Sequence, residues 1–401
     1  MRRITAIAAG CAAALGTVAL LTACGAASPN AGSPKAGGSG PKAATVRTDS
    51  VPGPVPTCAA PATAAFGPVD ASFISASDGW LLGVTPATCA PSQTVQMRKT
   101  SDGGLKWSKV AAPAAPWSGG PVTPSDSVSA VLFGNAKDGW AYGPGLWATH
   151  NGGASWHQIS THGYAVYSMA VTGTSAVAAF EKCGEAGASC FNPKAFTIET
   201  AAVHTDTWRP VRGATGAGAP YLTARAGTAY AYRVVTSASA TAVRLGLLTG
   251  PANGSKSWHS EAIPCPQGAI TASAATATHV LLSCALLGAH PATTHLYSAT
   301  DSGARWQQFA TLGLYDGASL IEETPNGTLL VGGIYNGIVL SRDGGRTWTS
   351  PAAVDDSLWV QGGGEIEAAL VTNTDGYALV AQGPFWVTRN GGKTWTQVKV
   401  S

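Results

Sequence analysis

Charged side chains are scarce in this chain. Of its 401 residues, 24 are Lys or Arg and 21 are Asp or Glu, so charge makes up 11% of the sequence. That share is about half of the roughly 25% that is usual in globular domains. The net charge of +3 is too small to indicate a nucleic-acid partner or binding to an anionic lipid surface.

Several motifs that carry chemistry are also missing. The sequence contains no Gly-x-Ser-x-Gly elbow for acyl transfer and no phosphate-binding P-loop. It has no CxxC pair and no Cys/His cluster with zinc-site spacing. We therefore expect no cofactor and no metal site. After the N-terminus, no stretch approaches the ~18 apolar residues of a transmembrane helix.

The N-terminus has the features of an export signal. A basic start, Met1–Arg3, precedes the apolar stretch Ile4–Leu21. The segment Leu21-Thr22-Ala23-Cys24 resembles the lipobox of bacterial lipoproteins. This resemblance implies that residues 1–23 are a cleaved signal peptide and that lipid on Cys24 anchors the chain to the outer face of the cytoplasmic membrane. The alternative is an ordinary signal peptide with an incidental cysteine.

Residues 24–57 form a second region, rich in Ala, Gly, Ser and Pro and without apolar periodicity. Such a composition is typical of a disordered tether. The remaining domain, residues 58–401, contains 19 basic and 20 acidic residues. The basic character therefore belongs to the signal and the tether, and the domain is neutral.

Six cysteines remain in this domain, and an even number in an exported protein indicates disulfides. Six cysteines allow 15 pairings. Proximity in sequence favours three of them: Cys58–Cys89, Cys183–Cys190 and Cys265–Cys284.

One eight-residue pattern, S/T-x-D/N-x-G-x-x-W, occurs four times, and a fifth copy, Ala299 to Trp306, differs from it only at the first residue. Its acidic or amide residue and its tryptophan are Asp102 and Trp107, Asn151 and Trp156, Asp301 and Trp306, Asp343 and Trp348, and Asn390 and Trp395. Asp or Asn can accept hydrogen bonds from turn amides, and Gly supplies positive φ. The pattern thus predicts a structural hairpin turn rather than catalytic acids.

The tryptophans also reveal a long repeat. With the degenerate copies at Trp208 and Trp258, seven tryptophans follow one another at intervals of 42–52 residues. A second turn precedes three of the copies, at Asp78-Gly79-Trp80, Asp138-Gly139-Trp140 and Asp375-Gly376-Tyr377. A unit of this length fits four short strands. The repeat predicts an all-β, seven-bladed β-propeller across residues 58–401.

The eight-residue pattern resembles the Asp-box, or BNR repeat, of sialidases, xyloglucanases and sortilin-type receptors. Together with the Asp-Gly-Trp turn, it is most similar to Ycf48-type photosystem II assembly factors and related bacterial repeat proteins. The resemblance covers nearly the whole chain after the tether, and it implies an architecture rather than an activity. It leaves open whether blades one and seven close the ring by contact alone or with an added strand from residues 51–60.

In a propeller of this kind, both turns lie on one face, and we expect function on the other face, around the central channel. A rim of aromatic residues suits a sugar or a peptide, and the alternative for each residue is packing between blades. The candidates for this rim are Trp117, Tyr164, Tyr315, Tyr335, Trp359 and Trp386.

The sequence therefore predicts a monomeric, lipid-anchored binding or assembly scaffold for a protein or a glycan. The alternative is a glycoside hydrolase, which needs two facing carboxylates. The Phe/Tyr-Arg-Ile-Pro motif of sialidases is absent. The carboxylate candidates lie towards the C-terminus: Asp316, Glu322, Glu323, Asp355, Asp356, Glu365 and Glu367.

Overall fold

The regular structure of this protein consists of strands. A computed structural model describes residues 65–85, 93–119, 125–182, 195–236, 243–265, 269–285, 292–314, 318–333, 337–351, 354 and 366–401. These residues form seven antiparallel sheets arranged in a ring, so the chain is an all-β, seven-bladed propeller, as the repeat predicts. In the described part of the chain, no helix has the length and apolarity that membrane crossing requires.

Each blade takes its strands from one contiguous stretch of chain. Blade one contains β1 (Gly67–Phe73), β2 (Gly79–Val84), β3 (Gln96–Thr100) and β4 (Ser108–Val110). Blade two contains β5 (Ala130–Phe133), β6 (Gly139–Tyr142), β7 (Leu146–Thr149) and β8 (His157–Gln158). Blade three contains β9 (Ala165–Thr172), β10 (Ser175–Lys182), β11 (Ala195–Ala202) and β12 (Arg209–Gly216). Blade four contains β13 (Ala219–Arg225), β14 (Thr228–Thr236), β15 (Val243–Pro251) and β16 (His259–Glu261).

The remaining three blades follow the same plan. Blade five contains β17 (Ala269–Ala274), β18 (Val280–Ala285), β19 (Ala292–Ala299) and β20 (Gln307–Leu314). Blade six contains β21 (Leu320–Glu323), β22 (Leu329–Gly333) and β23 (Gly337–Ser341). Its fourth strand is reduced to one bridge, in which Leu340 and Thr349 exchange backbone hydrogen bonds of 2.9 Å. Blade seven contains β24 (Ile366–Leu370), β25 (Gly376–Val380), β26 (Phe385–Thr388) and β27 (Thr396–Val398).

The turn between the third and fourth strands of a blade, here called the Trp turn, is held by its own side chains. In blade one the Gly104 amide donates to Thr100 Oγ1 at 2.9 Å, and the Lys106 amide donates to Asp102 Oδ1 at 2.9 Å. The hydrogen bond from Lys106 contributes most to lowering the pKa of Asp102. In blade six the Gly345 amide donates to Ser341 Oγ, and the Thr347 amide donates to Asp343 Oδ1. These acids stabilise turns.

The tryptophans of these turns donate hydrogen bonds either to their own turn or to the preceding blade. Trp107, Trp348 and Trp395 donate their indole N–H groups to glycine carbonyls of their own turns at 3.0–3.2 Å. Trp156 and Trp306 donate instead to Ala111 and Ala262 of the preceding blade, at 3.0 and 2.9 Å. The same residue type therefore closes a turn in three blades and joins two blades elsewhere.

The inner strands form the wall of the central channel, and their polar side chains bond to the next blade. Asp70 Oδ2 accepts from the Val131 amide at 2.5 Å, and Ser72 Oγ accepts from the Phe133 amide at 2.8 Å. Further bonds of this type link blades three to four, four to five and seven to one, through Ser168, Thr223 and Glu367. Buried polar groups need such partners, so these side chains stabilise the ring.

Blades one and seven close the ring by contact. Phe73 of blade one stacks on Tyr377 of blade seven with ring centroids 4.9 Å apart. Arg98 donates to the carbonyl of Ser401 at 2.8 Å. Of the two closures that the sequence left open, the described residues show the contact; residues 51–60 lie outside the described ranges.

Candidate functional site

The face on which the sequence places function is described only in part. Every gap between the described ranges falls in a connection on this face, either between the second and third strands or between blades. Tyr315, Tyr335 and Trp359 of the predicted rim lie in these gaps. The use of this face stays a prediction.

The other three rim residues have different environments. Tyr164 is 37% exposed. Trp117 is half-buried and pairs through its backbone with Val128. Trp386 is 1% exposed and belongs to the core between blades six and seven. Its position matches the alternative of packing between blades.

A cavity of about 150 Å³ opens at the other end of the channel, on the face that carries the Trp turns. It is formed where the inner strands of blades one, two, four, six and seven end, with part of the following turns. The lining residues are Ala71, Ser72, Phe73, Leu132, Arg225, Glu322, Glu323, Thr324, Pro325, Ala369, Leu370, Val371 and Tyr377. The sequence singles out Glu322 and Glu323 but not the cavity, because most of its other lining residues are small, apolar or turn-forming and come from distant parts of the chain.

Charged residues line this cavity on two sides. Arg225 is the last residue of β13, and Glu322 and Glu323 end β21 on another blade. Glu322 is 8% exposed. Glu323 Oε2 lies 3.3 Å from His279 Nδ1. The cavity can therefore offer carboxylate oxygens, a guanidinium and an apolar wall to one bound group.

The size of the cavity limits what enters it. Pockets for small-molecule ligands usually measure about 300–1,000 Å³, and this cavity measures about 150 Å³. Its volume suits one side chain of a partner better than a sugar chain.

The predicted hydrolase carboxylates are only partly described. Asp316, Asp355, Asp356 and Glu365 lie outside the described residues. Glu367 accepts from the Tyr377 hydroxyl at 2.8 Å and from the Ala71 amide at 3.4 Å, so it links blade seven to blade one. Glu322 and Glu323 share the cavity.

The two cysteines within the described ranges are bonded to each other. Cys265, after blade four, and Cys284, in blade five, form a disulfide with Cα atoms 5.6 Å apart. This is one of the three pairings that proximity favours. The lipidation candidate Cys24 and the other four, Cys58, Cys89, Cys183 and Cys190, lie outside the described residues.

One group of described residues could hold a metal ion. His150, His157 and Asp206 bring their ligand atoms within 4.8 Å of one another on the Trp-turn face. The sequence did not single out these residues because they come from separate segments of two blades. A His-x6-His spacing followed 49 residues later by Asp has no recognised metal-site signature.

No protein-family model matches the sequence, and no curated protein sequence matches it. Solved structures do match. Ycf48 bound to a D1 peptide is 18% identical with a TM-score of 0.53, over 82% of this chain and 94% of that one. Ycf48 from Cyanidioschyzon merolae is 14% identical with a TM-score of 0.56, over 84% and 98%.

Two enzymes are also similar in structure. A virginiamycin B lyase from Staphylococcus aureus, catalytically inactive and with quinupristin, is 9% identical with a TM-score of 0.54, over 82% of this chain and 97% of that one. The GH74 enzyme of Niastella koreensis is 12% identical over 83% and 66%, and its TM-score of 0.42 is too low to carry an argument. At these identities the similarity shows the fold alone.

Proposed function

We propose that this protein is a non-enzymatic scaffold that binds a segment of a partner protein, and that the channel cavity receives one side chain of that segment. Lipid on Cys24 would hold the scaffold at the outer face of the cytoplasmic membrane. The observation that carries the proposal is the cavity itself, which is small, mixed in charge and placed at an open end of the channel.

The surroundings of the cavity support binding over hydrolysis. Two other carboxylates of the channel wall serve the fold, since the buried Asp70 bonds to the neighbouring inner strand and the half-buried Glu367 bonds to Tyr377. Among the described carboxylates that the sequence proposed for hydrolysis, this leaves Glu322 and Glu323. They are adjacent in one strand and therefore point to opposite faces of the sheet, unlike the facing pair that glycoside hydrolysis needs.

The structural neighbours agree with this proposal without deciding it. Ycf48 bound to a D1 peptide shows that a ring of this fold can hold a peptide. The lyase shows that the same fold can also serve an enzyme. The test must therefore separate the two functions.

Photo-crosslinking in intact cells tests partner binding at the cavity. A benzoylphenylalanine is placed at Val371, which lines the cavity, in the full-length lipoprotein. The matched control carries the same group at Lys109, which is exposed on the outermost strand of blade one. We expect one discrete crosslinked protein from position 371, lost when Glu322→Gln and Glu323→Gln are added, and none from position 109.

Two outcomes would contradict the proposal. Equal crosslinking from both positions would show that the cavity does not select a partner. Release of reducing sugar from xyloglucan or sialosides that the same Glu→Gln changes abolish would instead support the hydrolase.

The anchor has its own test. Cys24→Ser removes the thiol that a diacylglyceryl group requires, so the variant should leave the membrane fraction and lose labelling by radioactive palmitate. Retention of both properties in the variant would contradict the lipid anchor while leaving the cavity proposal intact.

A further inference from the structure

Two histidines and one aspartate meet at the junction of blades two and three. His150 follows β7 in the Trp turn of blade two, and His157 begins β8 after the same turn. Asp206 lies in the turn between β11 and β12 of blade three. His150 Nε2 is 3.1 Å from Asp206 Oδ1, and His157 Nε2 is 2.7 Å from Asp206 Oδ2.

A second carboxylate orients the first histidine. His150 Nδ1 lies 2.7 Å from Asp138 Oδ1, which directs Nε2 of the same ring towards Asp206. Metal-bound histidines usually have such an outer carboxylate on the other ring nitrogen.

Asp206 itself departs from the regular turns. In the five regular copies, the acidic or amide residue stands five positions before the tryptophan. Asp206 stands two positions before Trp208, and its two oxygens contact two imidazoles of the neighbouring blade. The carboxylate is therefore presented across the junction.

We propose that His150 Nε2, His157 Nε2 and the Asp206 carboxylate bind a divalent transition-metal ion of the Zn²⁺ type, with Asp138 as the outer carboxylate. Imidazole and carboxylate suit Zn²⁺, Cu²⁺ and Ni²⁺ better than Mg²⁺ or Ca²⁺. The ion would tie blade two to blade three on the Trp-turn face, independently of the function proposed for the cavity.

The two histidine–carboxylate distances need little adjustment for this ion. Tetrahedral zinc with bonds of 2.0–2.1 Å places neighbouring ligand atoms about 3.3 Å apart. The observed contacts of 2.7 and 3.1 Å would lengthen slightly, because the ion replaces protons that these histidine–carboxylate contacts need. Binding should therefore release protons. His150 and His157 are both partly exposed, so an ion has access and solvent can supply a fourth ligand.

The test is metal titration of the full-length protein, purified in detergent with a tag that contains no histidine and freed of metal with a chelator. Zn²⁺ is followed by competition with a chromophoric chelator, and Co²⁺ by the absorption of a tetrahedral site. We expect one equivalent to bind to the unmodified protein. His157→Ala and Asp206→Asn should each weaken binding at least 100-fold, and Asp138→Asn should weaken it about 10- to 100-fold.

A matched control separates this site from general histidine binding. His259 lies 3.1 Å from Glu261 and is exposed, but the metal-ligand group of described residues does not include it. His259→Ala should keep the full affinity. Equal loss in His259→Ala and His157→Ala, unchanged binding in Asp206→Asn, or no binding at 1 mM Zn²⁺ would each overturn the proposal.

Discussion

The junction between blades two and three and the junction between blades seven and one are built on the same two positions, of which one is an aspartate in both and the other differs. His150 and Arg389 both follow the first residue of a Trp turn. Each pairs with the aspartate of its blade's Asp-Gly turn, at 2.7 Å to Asp138 and at 2.9 Å to Asp375. Each then reaches into the next blade.

Arg389 and His150 bond to different kinds of group in the next blade. Arg389 donates to the carbonyls of Ala76, Asp102 and Gly103 at 2.7–3.2 Å. Arg342 makes the equivalent bond to Gly391 at 2.7 Å between blades six and seven. A guanidinium carries five donors and a permanent charge, so it suits a ring of carbonyls.

Blade three changes this pattern. Its degenerate turn lacks the Gly-Gly pair that supplies the accepting carbonyl in blades one and seven. The linking residue there is a histidine, and it meets the Asp206 carboxylate instead. At the irregular blade, a bond to backbone is replaced by one between side chains, which can also bind a cation.

The largest expected loss of stability follows from a substitution at Gly103, whose carbonyl accepts a hydrogen bond from Arg389. Gly103 has φ +72°, and a Cβ there would lie 2.4 Å from the Ala76 carbonyl oxygen. Gly103→Ala should reduce the free energy of unfolding by about 3 kcal/mol, measured by urea denaturation. Gly344→Ala is the control, since it has φ +73° with open space around it; about 1 kcal/mol is expected. Equal losses would show that strain alone matters.

Arg389→Ala should have the next largest effect. It removes three bonds to carbonyls and the pair with Asp375, for a loss of about 2 kcal/mol. Arg305→Ala, at an exposed ion pair within one turn, should change the urea midpoint little. A loss in Arg389→Ala no greater than in Arg305→Ala would mean that the guanidinium does not hold this junction.

The same junction should be sensitive to acid. Burial raises the pKa of Asp375, but hydrogen bonds from Thr374, Thr372 and Arg389 outweigh it and lower the pKa. The resulting stability is present above the unfolded pKa of about 3.9 and is lost as pH falls through the folded pKa. Asp375→Asn should therefore lose less stability between pH 5 and pH 2.5 than the unmodified protein, measured by urea midpoints. Asp126→Asn, away from this junction, is the control for removing one charge; the same flattening in that variant would contradict the assignment.

The smallest change in stability is expected for a variant that tests whether the two junctions are interchangeable. His150→Arg places the residue type of blade seven into blade two, opposite Asp138 and Asp206. Stability without metal should change by no more than about 0.5 kcal/mol, while the rise of Tm on addition of Zn²⁺ should disappear. A persistent rise would show that His150 is not a ligand.

Local structure could be predicted well from the sequence. In blade seven, β25 begins within the Asp375-Gly376-Tyr377 turn and β27 begins directly after Trp395, because turn chemistry marks where these strands start. Side-chain burial was harder to predict. Trp386 and its neighbour Phe385 are both buried, since adjacent blades cover both faces of a blade and the usual alternation of exposed positions is lost.

The spacing of the tryptophans along the chain was enough to predict the repeat and the seven blades, and the structural use of the Trp-turn acids follows from bonds between residues two to four positions apart. Which residues meet across blades could not be read from the sequence. The link from Glu367 to Ala71 spans 296 positions, and Asp206 reaches His150 over 56. Such contacts depend on how neighbouring blades are aligned. Ring closure sets that alignment, and the same closure forms the cavity where five inner strands end.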